Sequence, residues 1–569
     1  MSRNRINRGR AKAEPVRSAD ILVRSNVRAH HRLDTFEGLF HAPACCGQEC
    51  PRSGTAACFF AALLTLLACQ PSSLFAQGSL MPPGPPAPTM KSLDQIEART
   101  PISAVPYTIS QPGSYYLTGN LQVSSGNAIV ISANSVTLDL NGFTISSIDP
   151  NNTGAGIQLG ASGGIQKVTI LNGFISGSVN NYGGVYSGPG FASGIFFGNA
   201  PPLDVRVSGV SISGCLLYGI YLNTESSSIV ESCRVQLVGS SGIVAASVSH
   251  STAYACGDTA ILASTASDCY GYCLGNGDGL VANAANNCYG ICLGSGVGLD
   301  SAMANNCYGY CTGDGSGLNA TTANNCAGYS LGSGDGLDSH EANNCHGESS
   351  SGYGLVAAEA NHSYGQSAGT YGLLATIATG CYGKQTGTVA GTAGLHAEEA
   401  SNCRGESSVG NGLEASEAIN CHGQSDSGYG MSVIVATGCY GKSADLGVVA
   451  TVATGCYGKS TDQTGIVADE ASNCHSEGGL HGMVATIATG CYGQSIRSTG
   501  LDAYLADTCY GRSQGDGAGI YSDNLANNCY GISWGSGTGV SLNMGVGCLG
   551  QNSAGNSMSV RLPYNMPYP

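Results

Sequence analysis

The sequence predicts an all-β fold, a single right-handed parallel β-helix with coils of about 17–22 residues and a short N-terminal cap. Three observations carry that prediction. The first is a phrase of Cys, an aromatic residue or His, then Gly, as in Cys269-Tyr270-Gly271, Cys345-His346-Gly347 and Cys529-Tyr530-Gly531. From Cys269 to Cys548 it returns at steps of 17 to 22 residues. Counting back through Ser251 by 18 reaches Cys233 and then Cys215, giving 19 register positions, 17 of them Cys. A period near 20 that tolerates such drift marks a solenoid, whose repeats stack only on their neighbours. The second observation is alternation by two around the Cys, and the third is the absence of any apolar period of 3.6 residues over a helical length.

Within a repeat, positions −2, 0, +2 and +4 are small: Asn or Thr, Cys, Gly, then Ser or Cys. Positions +1 and +3 carry rings and charges, as in Tyr440/Lys442 and His346/Glu348. Period two means a strand with opposite faces. Charges repeated along a rod cannot be buried unpaired, so the +1/+3 face is expected in water and the Cys face inside. A Gly-rich corner follows (Gly313-Asp314-Gly315-Ser316-Gly317), then a second strand of the form Gly-Leu-x-Ala, as in Gly354-Leu355-Val356-Ala357. Left-handed coils need an apolar residue every six positions. Asp445 and Thr451, six and twelve residues after Cys439, break that rule and favour the right-handed form. At about 4.8 Å per strand, the intervals from Cys215 to Cys548 span roughly 86 Å. Small side chains fit a narrow interior, consistent with 26 Cys beside one Trp and ten Phe.

In chain order, residues 1–54 read as a basic, disordered extension. Residues 55–76 hold an apolar run through Phe59, Leu63 and Leu67 that ends at Ala76, the pattern of a cleaved signal peptide or an anchor. The rival reading lipidates Cys69 within Leu66-Leu67-Ala68-Cys69. Either way the expected location is extracellular or cell-surface. Ten of the 22 basic and five of the 37 acidic residues precede residue 77, which leaves 12 and 32, a net of −20. Such a surface repels nucleic acid. Residues 77–90 form a Pro-rich linker. Residues 91–119 are expected to cap the first coil, with a short helix over Ser92–Ala98 followed by Tyr107–Leu117. Residues 120–214 read as early coils with inserted loops, one of them Tyr182–Ala192, and 215–550 as the regular repeats. Residues 551–569 form a tail.

The entry sequence Ile109-Ser110-Gln111-Pro112-Gly113-Ser114-Tyr115-Tyr116-Leu117 and the strands Val136–Ile145 and Val168–Ile175 resemble exported bacterial right-handed β-helix proteins of the pectate-lyase-like superfamily. The resemblance is strongest over 105–235 and implies a prior for enzymes acting on acidic glycans. The catalytic motifs do not follow. Asn223-Thr224-Glu225 stands where hydrolases of this kind have Asn-Thr-Asp, Cys-His-Gly replaces Gly-His-Gly, and Asp-Asp and Arg-Ile-Lys are absent. Basic residues suited to a lyase are few and scattered. Catalytic residues therefore stay unassigned.

Three other sets of residues could carry chemistry. The Cys file (Cys269, Cys288, Cys307, Cys326, Cys345, Cys439, Cys456) fits small buried filler better than metal, because a line of sulfurs does not converge tetrahedrally. Inter-coil disulfides are the second option, notably at Cys273, Cys292 and Cys311. The outward file (Tyr270, Tyr289, Tyr308, Tyr382, Tyr440, Tyr457, Tyr492, Tyr510) could stack on sugars, but register alone favours ring on ring. Glu341/Glu359 and Glu399/Glu417 fall in adjacent coils, a pattern that also suits a solvated face. No cofactor is expected. Calcium at Asp278, Asp314, Asp335 and Asp516 is the weaker alternative to plain turns, because the calcium-binding nonapeptide is missing. The sequence thus predicts an exported, non-catalytic rod with a surface, adhesive or structural role, partnered by polysaccharide or the cell envelope. The alternatives are a polysaccharide lyase or hydrolase with its site on coils 140–235, and a glycan-binding surface along the ring file. Oligomeric state is open.

Overall fold

The computed structural model describes residues 98–160 and 164–563. They form a right-handed parallel β-helix of about 24 turns, and no helix occurs among them. The expected basic extension, signal segment or anchor, Cys69, linker, most of the Ser92–Ala98 helix and the last residues of the tail lie outside the described residues.

Each regular coil holds one long and one short strand, exemplified by Leu280–Asn286 and Tyr289–Cys292. Equivalent residues pair coil to coil: Leu280 with Leu299, Ala285 with Ala304, Gly290 with Gly309 and Cys292 with Cys311. The long strand bends after its third residue, and the pairing skips one position there. It therefore makes two walls, a leucine wall (Leu280–Ala282) and an alanine wall (Ala284–Asn286). The short strand makes the third wall and carries the rings. Leu280, Ala285, Cys288 and Cys292 are fully buried, so the interior is filled by one small or medium side chain per wall position.

Two glycine files explain how thin this interior is. A Cβ added to Gly347, two residues after Cys345, would lie 2.1 Å from the Gly354 carbonyl oxygen on the opposite wall. The equivalent values at Gly309 and Gly423 are 2.1 and 2.0 Å, both again to glycine carbonyls. At these glycines the walls meet backbone to backbone, which leaves no room for a side chain there.

The residue before each Cys turns the corner between the alanine wall and the ring wall. It takes a left-handed backbone, with φ near 53° at Asn287, Asn306, Asn325 and Asn344 and near 63° at Gly380 and Gly438. Asn and Gly tolerate this region best, which accounts for the alternation of Asn-Cys with Gly-Cys along the chain. The corner also corrects the alternation expected from sequence. Position −2 points outward, because the left-handed residue separates it from the strand that follows. Asn305 donates from Nδ2 to Asn286 Oδ1 at 3.1 Å, Asn324 to Asn305 at 3.0 Å and Asn343 to Asn324 at 3.1 Å, an amide ladder on the outer surface.

Two further expectations change. Cys215 pairs with Val238, which pairs in turn with Cys256, and Cys256 with Cys273. Cys215 therefore belongs to the +4 file and not to the main one, because coils before Cys233 depart from the 18-residue step. Residues of the expected cap already take part in the sheet: Tyr107–Ile109 pairs with Ile129–Ile131, and Gly113–Leu117 with Val136–Asp139. Their apolar residues Ile109, Tyr115 and Leu117 are buried like those of later coils. The insertion in the early coils is a hairpin, Asn180–Tyr182 against Val185–Ser187, tied down where the Tyr186 hydroxyl donates to the Ala255 carbonyl at 2.9 Å.

Candidate binding face

The main thiol file is buried throughout, Cys269, Cys288, Cys307, Cys326, Cys345, Cys439 and Cys456 included, and all 21 described Cys are free. Its sulfur atoms do more than fill space. The left-handed corner takes the Cys N–H out of the strand ladder, and the next coil's sulfur accepts it: Cys307 N–H to Cys326 Sγ at 3.4 Å, Cys403 N–H to Cys421 Sγ at 3.4 Å. Each thiol in turn faces carbonyls, as Cys326 Sγ does with Ala304 at 3.3 Å and Asn324 at 3.2 Å. Ser363 fills its slot with the same bonds, accepting from Cys345 N–H at 3.1 Å and donating to Ala342 O at 3.2 Å. The position thus requires a small side chain that can both donate and accept, a reason composition does not reveal. Burial pushes the Cys215 thiol up to about 12 and Cys233 up to about 11, so both stay protonated.

The +4 file closes the Gly-rich loops. Ser349 Oγ donates to Gly334 O at 2.7 Å and accepts from Gly352 N–H at 2.8 Å, and Ser367 repeats the pattern with Gly352 O and Thr370 N–H. Cys273, Cys292 and Cys311 occupy this file, and Cys311 Sγ faces Gly296 O at 3.2 Å.

On the outer side of the ring wall the aromatic side chains stack on one another. Ring centroids lie 5.2 Å apart for Tyr440–Tyr457, 4.5 Å for His475–Tyr492 and 5.1 Å for Tyr492–Tyr510. Tyr308 finds Tyr329, two positions further along its strand, because Ala327 holds the ring slot in that coil. Arg404 fills one slot and lays its guanidinium over the Tyr382 ring at 5.5 Å. Tyr289 is 51% exposed, whereas Tyr308, Tyr382, Tyr440, Tyr457, Tyr492 and Tyr510 are half-buried by their neighbours. Tyr270 is half-buried too, but the stacked pair beside it is Tyr254–Tyr272. The polar ends are engaged by +3 side chains, the Tyr382 hydroxyl donating to Glu406 at 2.6 Å and His346 lying 2.7 Å from Glu348, while the +3 residues Lys459 and Glu477 pair with each other at 3.0 Å. Burial, then the Glu406 hydrogen bond, holds the Tyr382 hydroxyl well above the usual phenol range.

The other candidates are also occupied or dispersed. Asp278 accepts from Val297 N–H at 2.7 Å and Asp335 from Tyr353 N–H at 2.8 Å, while Asp314 and Asp516 accept from Ser333 and Ser536. Each corner aspartate thus caps the loop of the next coil. Glu341 pairs in register with Glu359 and Glu399 with Glu417, all four exposed. A groove of about 570 Å³ on the leucine wall is lined by Asp338, His340, Val356, Leu374, His396 and Glu398, and His396 Nδ1 lies 3.0 Å from Glu414. In the early coils a second groove of about 420 Å³ has Phe174, Arg234 and Gln236 in its lining and no carboxylate among the described residues. Sequence reasoning missed the cluster of Phe196, Phe197, Tyr218 and Tyr221, whose neighbouring centroids are 4.6–6.2 Å apart. Only the pairing of Phe196 with Tyr221 across coils of unequal length brings them together.

No protein-family profile matches the chain, and neither the curated proteins nor the solved structures contain a match.

Proposed function

We propose that this chain is an exported bacterial solenoid with a structural or adhesive role at the cell surface and no catalytic centre. The supporting observation is that many outward polar groups recur from coil to coil and are engaged by their neighbours. His346, Tyr382 and Lys459 each direct their polar atoms to a side chain of their own or the adjacent coil, and the corner aspartates cap the next loop. Groups used in this way strengthen the rod by tying each coil to the next. Pectin, alginate and chondroitin are expected to survive incubation with the protein intact. Depolymerisation that disappears on deleting residues 177–193 would instead place an enzyme on the early coils. Export is tested by protease shaving of intact cells, which should remove the protein.

A second reading, glycan retention along the rings, draws on the exposure of Tyr289 and on the Phe196–Tyr221 cluster. Replacing Tyr382, Tyr440 and Tyr457 with Ala should then weaken retention on a polysaccharide column without unfolding the protein. Unchanged retention dismisses this reading.

A further inference from the structure

Charge is sorted by wall in a way the net value conceals. The long strands from Leu337–Asn343 to Ile520–Asn527 carry twelve Asp and Glu and no Lys or Arg, and six of the acids, Glu341, Glu359, Glu399, Glu417, Glu470 and Asp507, stand on the alanine wall. The ten short strands from His346–Ser349 to Tyr510–Ser513 carry Lys384, Arg404, Lys442, Lys459 and Arg512 against only Glu348, Glu406 and Glu477. Those three glutamates are taken by His346, Arg404 and Lys459. Among the described residues Lys384 and Lys442 are in no ion pair, and Arg512 lies 3.8 Å over the Trp534 ring. On the acidic side the like charges Glu341/Glu359 and Glu399/Glu417 face each other in register, with no cation paired to them among the described residues. Such pairs are destabilising unless something positive meets them. Exposed Ile377 and Ile487 stand in the same file as these glutamates.

We infer that the basic aromatic wall of one copy docks on the acidic alanine wall of a second copy of this chain. The two walls are complementary in charge, and apolar Ile377 and Ile487 would meet rings. They also share one rise per coil, because both belong to the same solenoid. A partner copy therefore keeps its charges in step along the whole contact, which a partner of another period does not. The contact joins two different patches, so a pair still offers one free wall of each kind and association continues into open layers. The nine intervals between the short strands at His346 and Tyr510 span about 43 Å, and a four-residue strand is about 13 Å long. That is roughly 560 Å² per copy and about 1,100 Å² per contact, the low end for specific association. The association is accordingly weak and dependent on salt. It does not rest on the surface role proposed above.

Sedimentation velocity of the full chain tests this at about 0.1 M salt, where screening over about 10 Å hides the net charge but not facing walls, and at about 1 M, where it acts over about 3 Å. Concentration-dependent oligomers are expected at the lower salt, weakening at least about tenfold at the higher, a change of about 1.4 kcal/mol. The double variant Lys384→Glu/Lys442→Glu should be monomeric. Added to wild type it should shorten the oligomers, because its acidic wall still caps a partner's rings. Lys384→Gln/Lys442→Gln should fall between, and unchanged circular dichroism and melting certify both folds. A wild type that stays monomeric overturns the inference, as do oligomers indifferent to salt or to the lysine variants. Retention of polygalacturonate through Lys384 and Lys442 by a protein that remains monomeric also overturns it and identifies an anionic polymer as the occupant.

Discussion

Replacing Gly423 with Ala probes the contact that sets the cross-section. The new Cβ would stand 2.0 Å from the Gly430 carbonyl oxygen, 2.9 Å from its carbon and 3.3 Å from Leu413 Cβ. Real Cβ atoms keep at least 3.0 Å from such neighbours, so the two walls must part by about 1 Å. Gaps of that size forfeit a quarter to a half of each dispersion contact along the opening. Overpacking usually costs about 1–3 kcal/mol, and the upper end applies because the obstacle is a carbonyl held by its own ladder. We expect a loss of about 3 kcal/mol, with faster amide exchange confined to the coils around residues 413–441, because solenoid repeats feel only their neighbours. Gly119→Ala is the control: nothing lies within 4 Å of its Cβ, and a change within about 0.5 kcal/mol is expected. Urea unfolding and hydrogen exchange read both. Equal midpoints for the two variants would refute the argument that the glycine files set the wall separation. Ser476 occupies the same slot in one coil, where its hydroxyl donates to the Gly482 carbonyl, so Ser476→Gly should be tolerated.

Three further outcomes follow from the coil. Cys439→Ser should be nearly neutral, since Ser363 makes the same bonds, whereas Cys439→Ala strands the Cys421 N–H and should cost about 1–2 kcal/mol in urea melts. Asn344→Gly should be accepted at the φ of 53° where Asn344→Ala loses about 1–2 kcal/mol, again by urea melts. Cys215 and Cys233 have raised pKa values when folded, so the folded chain holds their protons while the unfolded chain releases them. Their stabilisation is complete below the unfolded thiol pKa of about 8.5 and is lost as pH rises towards about 11–12, by about 1.4 kcal/mol per pH unit and thiol. Alkaline unfolding curves check the sign, and a midpoint that rises with pH through this window would contradict it.

The strand period, the inward thiols and the outward rings were legible in the sequence because each is a property of alternation along one strand. What a left-handed corner does to that alternation was not. Asn305 reads like any small residue before Cys307, and only the φ of its neighbour Asn306 turns it outward. Cys215 shows a related difficulty: spacing by 18 finds a Cys there, but pairing with Val238 puts it on another file, since coils that carry insertions do not keep the step. The requirement for sulfur or hydroxyl at the corner was equally hidden, because it depends on an N–H in the preceding coil. Stacking of the rings followed from register, while the exchange of Tyr329 for the missing ring at Ala327 depended on side-chain reach.

Because every coil offers its neighbours the same set of partners, the length of the solenoid is free to vary in whole turns. Excising Ser363–Gly380 would bring His362 directly before Cys381, with a left-handed residue still preceding a thiol and Leu355 facing Leu395 across the join. A gene encoding such units can therefore gain or lose them by unequal recombination and still specify a folded product. Natural size variants differing by about 18 residues, with both ends unaltered, are what this interchangeability would leave behind.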